Sequence, residues 1–370
     1  MEHKLTFGSN LKQLRKKHRL TRFQLAQSIS YSEKAVEKWE MGGSVPPVAT
    51  VCKLADFFQV SVDALLYSQE ATLRYLLGID GGGTKTEFLL TDLEGNPVER
   101  LILGATNPID IGIENTIKVL QEGIRQVCQN VDLQEVSVYA GIAGGITGNN
   151  QETIGQFLKS LSFGAVASGS DVDTALQVCL RGGNGISLIM GTGVVAFSMN
   201  AGQRHRIAGW GYLLDKGGSG YNVGADALDS ALRHFDGRGG SALLLQLIEN
   251  RLQKPLPESI SQIYKSGKTG ISSFAPLVFE ALQQGDPEAK RILRRNVQEV
   301  CQIISAGCAH LTGVPRVAIC GGLAKQGEVL RPIFEECLQN TITLEFITEP
   351  IVNGAVELAR CNAKTEGKLC

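Results

Sequence analysis

The sequence predicts an all-α head followed by a larger α/β body made of two lobes. Residues 8–68 show short helix patterns without strands between them, whereas strands and helices alternate from residue 75 onward. The body holds two strand-turn-strand hairpins with glycine-rich turns, at 81–83 and at 191–193, about 110 residues apart. A repeat of this kind indicates an internal duplication with a cleft between the two copies.

Composition and charge agree with a multi-domain protein. A length of 370 residues exceeds what one core supports, and 43% hydrophobic with 20% charged residues is typical of a soluble globular chain. Residues 1–68 carry 10 Lys and Arg against 6 Asp and Glu, and the remaining residues carry 26 against 31. A basic head therefore precedes an acidic body.

The cysteines and the chain start bear on the cellular compartment. The nine cysteines form no CxxC pair and have no histidine at zinc-ligand spacing, so reduced thiols are the expected state. The first residues contain no apolar signal core, and no apolar run approaches the ~18 residues of a membrane span. These features predict a cytoplasmic protein without a membrane partner.

The head reads as five short helices. The first covers 9–18, Thr21 is a good N-cap for the second, and Ser32 caps a third over 32–40 that points Val36 and Trp39 inward. A fourth helix is predicted over 49–58 and a fifth over 62–66. We expect the head at 1–68 and a linker at 69–74.

The body reads as two successive series of strands and helices. In the first lobe, strands are predicted at 75–80, 86–93, 98–103, 137–144 and 164–170, and helices at 111–129, 151–161 and 171–180. In the second, strands are predicted at both arms of a hairpin over 185–199, at 316–325 and 342–347, and helices at 219–235, 241–252, 272–284, 286–311, 328–339 and 351–361. Pro255 and Pro257 are expected to stop the helix that ends at 252. The predicted lobes are 75–184, joined by 351–362, and 185–350.

The first hairpin is a candidate phosphate site. An apolar strand ends at Asp80, and three glycines are followed by Thr84, Lys85 and Thr86. Glycines allow a tight turn and leave backbone amides uncovered, as phosphate binding requires. The P-loop and dinucleotide patterns are absent here, and Gln262 breaks the P-loop pattern before Gly267. An ordinary β-hairpin is the alternative interpretation.

The head resembles the Xre-type helix-turn-helix domain of phage repressors. The matching motifs are LxxLR at 11–15, LTxxxLA at 20–26, the S…WE…G run at 32–42 and LADFFxVSxDxLL at 54–66. The resemblance implies double-stranded DNA as partner, a homodimer, and a third helix lying in the major groove. The positions expected nearest the bases and phosphates are Arg22, Ser32, Glu33, Lys34 and Lys38. The acidic residues of that helix, and Arg22 where such domains usually have glutamine, leave a protein-contact role as the alternative.

The body is similar to the BadF/BadG/BcrA/BcrD ATPase family, which includes N-acetylglucosamine kinase. The matching motifs occur in the family's order: DGGGTKTEF, AGIAGG, SDVDTAL, MGTGVVAF, AGWGYLL…GGSGY, AICGGLAK and NGAVELA. The resemblance covers about 75–362 and implies an actin-like, sugar-kinase ATPase fold with duplicated ribonuclease-H-like lobes.

This resemblance implies ATP and Mg²⁺ as cofactors. It places Asp80 at the Mg²⁺ ion, through water, and Asp171 as the catalytic base that accepts the sugar hydroxyl proton. For Asp171, an N-cap role is the alternative, and Asp173 is a substitute candidate for the base. The residues implied at the nucleotide are Gly81, Gly82, Gly83, Thr84 and Lys85 on one side, Gly191, Thr192 and Gly193 on the other, and Gly321 and Gly322 at the adenosine.

The same resemblance implies a carbohydrate site, with one departure. Asn107, Gly144, Gly145, Trp210 and Gly211 match sugar-contacting positions, although Trp210 can equally be a core residue. Where the family usually reads GWGxxxGDEGSGY, this chain reads GWGYLLDKGGSGY, with Lys216 at the sugar-binding aspartate. Lysine only donates hydrogen bonds, so the ligand carries an anionic group that Lys216 pairs with, or catalysis is lost and binding kept. Asp215 is one residue out of place for the role.

Three functions follow from these patterns. The leading expectation is a transcription regulator that senses, and as a further option phosphorylates, a cytoplasmic amino sugar or related carbohydrate. An active ATP-dependent N-acetylhexosamine-type kinase with a DNA-binding appendage is the alternative. A dehydratase activator is a minor alternative, because Cys128 and Cys179 show no iron-sulfur cluster signature.

Overall fold

The computed structural model describes residues 6–66, 72–338 and 342–369, and the chain divides into two compact units. The second unit spans Tyr75–Glu366. Residues 69–71 of the linker predicted at 69–74 lie outside the described residues. Residue 339, the predicted end of the helix that begins at 328, lies outside them as well. No helix within the described ranges is both long and apolar enough to cross a membrane.

The head consists of five helices in its described residues. Thr21 caps the second helix in a capping box with Gln24, and the Ser32 side chain accepts a hydrogen bond from the Ala35 amide at the start of the third. Val36 and Trp39 are buried, as their spacing predicts. The helices are α1 Phe7–Lys17, α2 Arg22–Ile29, α3 Glu33–Glu40, α4 Val48–Phe58 and α5 Val62–Leu66.

The first sheet of the second unit begins with the glycine hairpin. Its strands are β1 Tyr75–Gly81, β2 Thr86–Asp92, β3 Pro97–Leu103, β4 Val136–Ile142 and β5 Ala165–Gly169. The order is β3-β2-β1-β4-β5, in which β1, β2 and β3 pair antiparallel while β4 and β5 add in parallel to β1. The central strand β1 therefore ends beside the end of β4, where Asp80 pairs with Gly141.

Helices cover this sheet, and one prediction about them was wrong. The helices are α6 Pro108–Ile111, α7 Ile113–Val127, α8 Asn150–Ser160 and α9 Asp171–Leu180, with a 3-10 turn at Leu133–Glu135. The single helix predicted over 111–129 is interrupted at Gly112, whose φ of +80° lies in the left-handed region. The short α6 thereby becomes a separate element beside the glycine hairpin.

The second sheet repeats the first. Its strands are β6 Gly185–Met190, β7 Val194–Asn200, β8 Gln203–Ala208, β9 Arg316–Cys320 and β10 Thr343–Phe346. The order β10-β9-β6-β7-β8 again joins an antiparallel meander to two parallel strands. The two sheets share one topology, as the predicted internal duplication requires.

The second lobe holds more helices than the sequence predicts. Helix α12, Leu256–Ser272, was missed because Pro255 and Pro257 suggest a break, yet Pro255 is its N-cap and Pro257 lies in its first turn. Strand β8 was also missed. The other helices of this lobe are α10 Gly220–Phe235, α11 Ala242–Leu252, α13 Ala275–Gln283, α14 Pro287–Cys308 and α15 Gly327–Cys337, with a 3-10 turn at Gly322–Gln326. The last helix, α16 Val352–Thr365, packs on the first sheet.

Helix α9 connects the lobes, and α16 holds α9 on the first sheet. Helix α9 packs against β4 of the first sheet and β6 and β9 of the second, and α16 packs against α9, β1 and β4. Glycines bring these elements close, because a Cβ on Gly78 would come within 2.6 Å of the Val356 amide nitrogen, and a Cβ on Gly354 would overlap the Thr174 carbonyl oxygen. The start of α9, at Asp171, is therefore held between the two sheets.

Candidate functional site

The first glycine hairpin is closed by its own backbone. Gly82 donates its amide hydrogen to the Lys85 carbonyl oxygen at 2.9 Å, and Gly81 forms the last strand pair with Thr86. A Cβ on Gly81 would overlap the Thr106 hydroxyl, so a side chain there would displace the neighbouring loop. A Cβ on Gly83 would lie 3.0 Å from an Asp110 carboxylate oxygen. The turn thus exposes backbone rather than side chains, which fits a phosphate ligand.

Two carboxylates lie close together at the carboxyl end of β1. Burial and then the nearby charge of Asp171 raise the pKa of Asp80 to about 7. Burial also raises the pKa of Asp171. The Thr174 hydroxyl lies 3.2 Å from Asp80 Oδ1 and 2.6 Å from the Asp171 carbonyl oxygen, linking the strand to the helix. Ionisation of both carboxylates at once is therefore unfavourable unless a cation binds beside them.

The start of α9 separates the roles of its two aspartates. Ser170, not Asp171, is the N-cap, so the N-cap interpretation of Asp171 was wrong. Asp173 Oδ2 accepts hydrogen bonds from the Ser170 amide at 2.8 Å and hydroxyl at 3.0 Å, and its other oxygen accepts one from Arg204 at 2.6 Å. Asp173 is therefore occupied by structural contacts.

The second hairpin occupies the equivalent place at the end of β6. The Gly191 amide donates a hydrogen bond to the Gly193 carbonyl oxygen at 2.9 Å. Two amides of the first turn of α10 also donate to this hairpin: Gly220 to the Gly191 carbonyl oxygen at 2.7 Å, and Tyr221 to the Thr192 carbonyl oxygen at 3.2 Å. Gly321 has a φ of +96°, and a Cβ there would lie 2.7 Å from the Met190 carbonyl oxygen. The Gly321–Gly322 turn therefore lies at the base of the second hairpin.

The predicted sugar residues of the first lobe lie beside the first hairpin. Asn107 caps α6, donating to Asp110 Oδ2 at 2.7 Å and accepting from the Ile109 amide at 3.1 Å. A Cβ on Gly144, whose φ is +68°, would overlap Asn107 Oδ1, and Gly145 follows in the same turn. Asp110 was missed in the sequence, although its place three residues after Asn107 in a Pro-initiated turn is a usable signal.

The loop 209–218 forms a separate group of predicted residues. Trp210 is 61% exposed, so the core interpretation was wrong, and the Arg206 guanidinium carbon lies 4.4 Å from the centre of its ring. Asp215 accepts hydrogen bonds from the amides of Gly209, at 2.8 Å, and Trp210. Asp215 thus closes the loop through one carboxylate oxygen.

Lys216 lies farther along this loop. It lines a cavity of about 430 Å³ together with residues of α10 and α14. Within the described residues, no hydrogen bond or ion pair joins Trp210, Gly211 or Lys216 to Asn107 or Asp171. The loop 209–218 is bonded to α14 through Gly218 and Asn296, whereas Asn107 and Gly144 are in contact beside the first hairpin.

The donor atoms of this site suit the implied cofactors. In the described ranges no group of three or more His, Cys, Asp and Glu side chains could hold a metal ion. Mg²⁺ keeps several waters and needs only one or two carboxylates, and Asp80 would provide one. The uncovered amides of the two hairpins suit phosphate oxygens.

In the head, ion pairs connect α2 and α3. Arg22 Nε lies 2.9 Å from Glu40 Oε2 and its Nη1 lies 3.1 Å from Glu37 Oε1, while Arg15 Nε lies 2.5 Å from Glu40 Oε1. Burial alone would raise the pKa of Glu40, but the hydrogen bonds from Arg15 and Arg22 lower it. Arg22 therefore supports the third helix, a role that the sequence does not reveal. Ser32 caps that helix, while Glu33, Lys34 and Lys38 are exposed on it.

The described cysteines are all free. Cys128, Cys179, Cys301 and Cys320 are buried. Cys128 belongs to the core of the first lobe, whereas Cys179 belongs to a cluster between α9 and β9. Cys128 and Cys179, which show no iron-sulfur cluster signature in the sequence, are thus buried in different cores.

Family models match both parts of the chain. The model of the BadF/BadG/BcrA/BcrD ATPase family matches residues 77–357, and a helix-turn-helix model matches residues 11–65. Both resemblances stated from the sequence are confirmed.

Individual relatives match in the same two places. The N-acetylmuramic acid/N-acetylglucosamine kinase of Clostridium acetobutylicum is 32% identical over 244 residues, which cover 63% of this chain and 79% of that protein. The HTH-type transcriptional activator BcrR of Enterococcus faecalis is 36% identical over 66 residues, 18% of this chain and 32% of that protein. A candidate N-acetylglucosamine kinase from Chromobacterium violaceum shares the fold, with a TM-score of 0.64 and 24% identity over 78% of this chain and 99% of that one.

Proposed function

Since the chain belongs to the BadF/BadG/BcrA/BcrD ATPase family, we propose that it is a DNA-binding transcription regulator whose second unit binds ATP, Mg²⁺ and a cytoplasmic amino sugar. Two sequence similarities support the proposal. The second unit is similar to a kinase of N-acetylated amino sugars, and the head is similar to a transcriptional activator. The observation that carries it is the presence of both units in one chain.

The second unit offers residues for each part of nucleotide and sugar binding. Backbone amides at Gly83–Lys85 and Thr192–Gly193 would face the phosphates, since the Gly82 and Gly191 amides bond within their hairpins, and the Gly321–Gly322 turn would face the adenosine. Asp80 would hold the ion through water, and Asn107, Gly144 and Gly145 would contact the sugar. Bound MgATP supplies a transferable phosphoryl group and positive charge that neutralises the phosphates.

The head offers an exposed recognition helix. Lys34 and Lys38 on α3 would contact phosphates, and Ser32 and Glu33 at its start would face the bases. Arg22 would act by holding α3 through Glu37 and Glu40, in addition to any phosphate contact of its own. Heads of this type read two half-sites as a dimer, so we expect a homodimer.

DNA selection tests the regulatory proposal. The full chain is used to enrich a random duplex library, and the enriched sequences are then examined by gel shift without ligand, with amino sugars, and with MgATP. The proposal predicts an enriched inverted repeat whose affinity changes when the sugar is added. Failure to enrich any sequence in every ligand state would reject DNA-binding regulation.

An active sugar kinase is the second candidate, and the Asp80–Asp171 pair favours it. A carboxylate near the end of β1 and a second at the start of α9 are the two groups that metal binding and proton acceptance require. Incubation with MgATP and a panel of hexosamines measures turnover. Asp171→Asn should lower turnover by roughly 10²- to 10⁴-fold, while the exposed-site control Asp229→Asn should not. Absence of turnover on every sugar would leave a sensor without catalysis.

A further inference from the structure

The first sheet of the second unit ends in β5, which pairs with β4 on one side only. The outer side of such an edge strand carries backbone N–H and C=O groups that no other strand of the sheet pairs. The central residues of β5, Val166, Ala167 and Ser168, are half-buried, and the register with β4 is regular. Within the described residues β5 is therefore an open, regular edge to which another strand can be added.

Strand β5 lacks the features that protect the other edge strands of the described sheets. Proteins protect sheet edges by charged residues, proline, irregular pairing or shortness of the strand. Strand β3 contains Pro97, Glu99 and Arg100, β8 contains Arg204 and Arg206, and the register of each with its neighbour is irregular. Strand β10 is only 4 residues long. The sequence of β5, AVASG, has no charge and no proline, which is typical of an edge that another strand covers.

Helix α8 lies beside β5, and the two elements line an open groove of about 530 Å³. Gln151 Nε2 on α8 donates a hydrogen bond to the Ser168 carbonyl oxygen at 3.2 Å, which joins the helix to the strand. One turn later Gly155 faces the strand without a side chain, since a Cβ there would lie 3.7 Å from Ser168 Oγ. The surface beside the open edge is therefore formed by one face of α8.

This face of α8 carries one charge of each sign. Glu152 and Lys159 both line the groove, are exposed, and lie two helical turns apart, which is about 10 Å along the helix. In the described part of the chain neither forms an ion pair, and Glu152 Oε1 accepts a hydrogen bond from Gln156 at 3.0 Å. Gly155 lies near the midpoint between the two charges. A two-fold axis near Gly155 would place Glu152 of each copy opposite Lys159 of the other, so the surface is complementary to itself, as an interface between identical chains requires.

We propose that two copies of this chain associate through β5 and α8, with the two β5 strands antiparallel about a two-fold axis near Ala167. The pairing joins the first sheets of both copies into one continuous sheet, and Glu152 and Lys159 form ion pairs across the axis. The inference rests on the homodimer expected under the proposed function and specifies its interface. Because β5 leads through Ser170 into α9, which begins at Asp171, this interface adjoins the candidate catalytic residue.

Cross-linking at the axis tests the strand pairing in the full chain. Residues directly opposite each other in an antiparallel pair have Cα atoms about 4.5–5.5 Å apart, which suits a disulfide. Under mild oxidation, Ala167→Cys should therefore give a covalent dimer on a non-reducing gel, and peptide mass spectrometry should locate the link at the introduced thiols. Gln203→Cys, at an exposed position of the edge strand β8, is the matched control and should not link. The wild type, treated in the same way, shows any links formed by the native cysteines.

Charge reversal on α8 tests the side-chain contacts. Glu152→Lys and Lys159→Glu should each raise the dissociation constant of the dimer by about tenfold in analytical ultracentrifugation, because each places like charges opposite each other on both sides of the axis. The double substitution should restore the wild-type constant, and high salt should weaken the wild-type dimer. Lys118→Glu, at an exposed position on α7, is the control and should leave the constant unchanged.

The outcomes separate this interface from the proposed function. A dimeric wild type in which Ala167→Cys does not link, or in which the double substitution does not rescue the charge reversals, would reject the interface and leave the homodimer. A chain that stays monomeric at every concentration tested would reject the interface and the homodimer together, while the DNA selection decides separately whether the heads bind DNA. Thermal melts check that each variant is folded, and the charge reversals answer the question if Ala167→Cys does not fold.

Discussion

Replacing Asp80 with asparagine should stabilise the ligand-free protein at neutral and alkaline pH. In the folded chain the pKa of this carboxyl lies near 7, against an ordinary value of 3.8. Asparagine has nearly the same shape, keeps an oxygen that can accept the Thr174 hydroxyl, and carries no charge to bury. Asp80→Asn therefore removes an electrostatic cost without opening a cavity.

The sign and size of the effect follow from proton linkage. Between about pH 4 and pH 7 the folded protein holds a proton on Asp80 that the unfolded chain has released, so stability falls as pH rises through this range. About three pH units at about 1.4 kcal/mol each give a cost of roughly 4 kcal/mol above pH 7. At pH 5 the cost is only about 2 kcal/mol. Asp80→Asn should therefore raise the free energy of unfolding at pH 8 by most of this cost of roughly 4 kcal/mol, and at pH 5 by less than half of that amount.

Urea unfolding of the full chain at pH 5 and pH 8, in EDTA and without nucleotide, measures this difference. Asp229→Asn, at an exposed position on α10, is the control and should change stability by less than about 0.5 kcal/mol at either pH. Added Mg²⁺ should narrow the gap between wild type and Asp80→Asn at pH 8, because a cation favours the charged carboxylate. A gain that is equal at both pH values, or a loss at pH 8, would refute the reasoning.

Two further substitutions test contacts that only the structure reveals. Arg22→Gln removes one hydrogen bond that offsets the burial of Glu40 and one to Glu37. It should lower the free energy of unfolding of the head by about 1–2 kcal/mol in thermal unfolding, while Lys34→Gln on the same surface should be neutral. Equal effects of the two substitutions would contradict the support role of Arg22. Gly354→Ala should lower the free energy of unfolding in urea by about 1–3 kcal/mol, because the added methyl group overlaps the Thr174 carbonyl oxygen. Gly104→Ala is the control, because a methyl group there meets open space. An unchanged stability of Gly354→Ala would show that α9 and α16 separate freely.

The fold was predictable wherever apolar periodicity and caps agree. Helix α9 begins at Asp171 and ends at Leu180 as predicted, and both glycine hairpins occupy the predicted strand ends. Strand β8 escaped prediction because it is an edge strand whose first four residues, Gln203–Arg206, are exposed, so it shows no apolar alternation. Helix α12 escaped because proline at a helix start and proline at a helix break look alike in sequence.

For the candidate site, the sequence predicts which residues take part but not the contacts that they make. Motif order predicts Asp80, Asp171 and the glycine turns as site residues, since each lies at the end of a recognisable element. Which partner each side chain finds depends on contacts between distant segments. Asp215 turning back onto the Gly209 amide is such a contact, and Arg22 reaching Glu37 and Glu40 is another. Local patterns carry no information about these pairings.

The cost of the two buried carboxylates bears on whether this unit still handles nucleotide. A buried aspartate whose pKa stands near 7 weakens the ligand-free fold by roughly 4 kcal/mol at physiological pH, a large share of the 5–15 kcal/mol that stabilises a typical domain. Asparagine would avoid that cost at the same position. A cation bound beside Asp80 would offset this charge and so reduce the cost. Lys216 lies on the loop 209–218 and on neither glycine hairpin, so a changed sugar specificity is compatible with nucleotide binding in one unit.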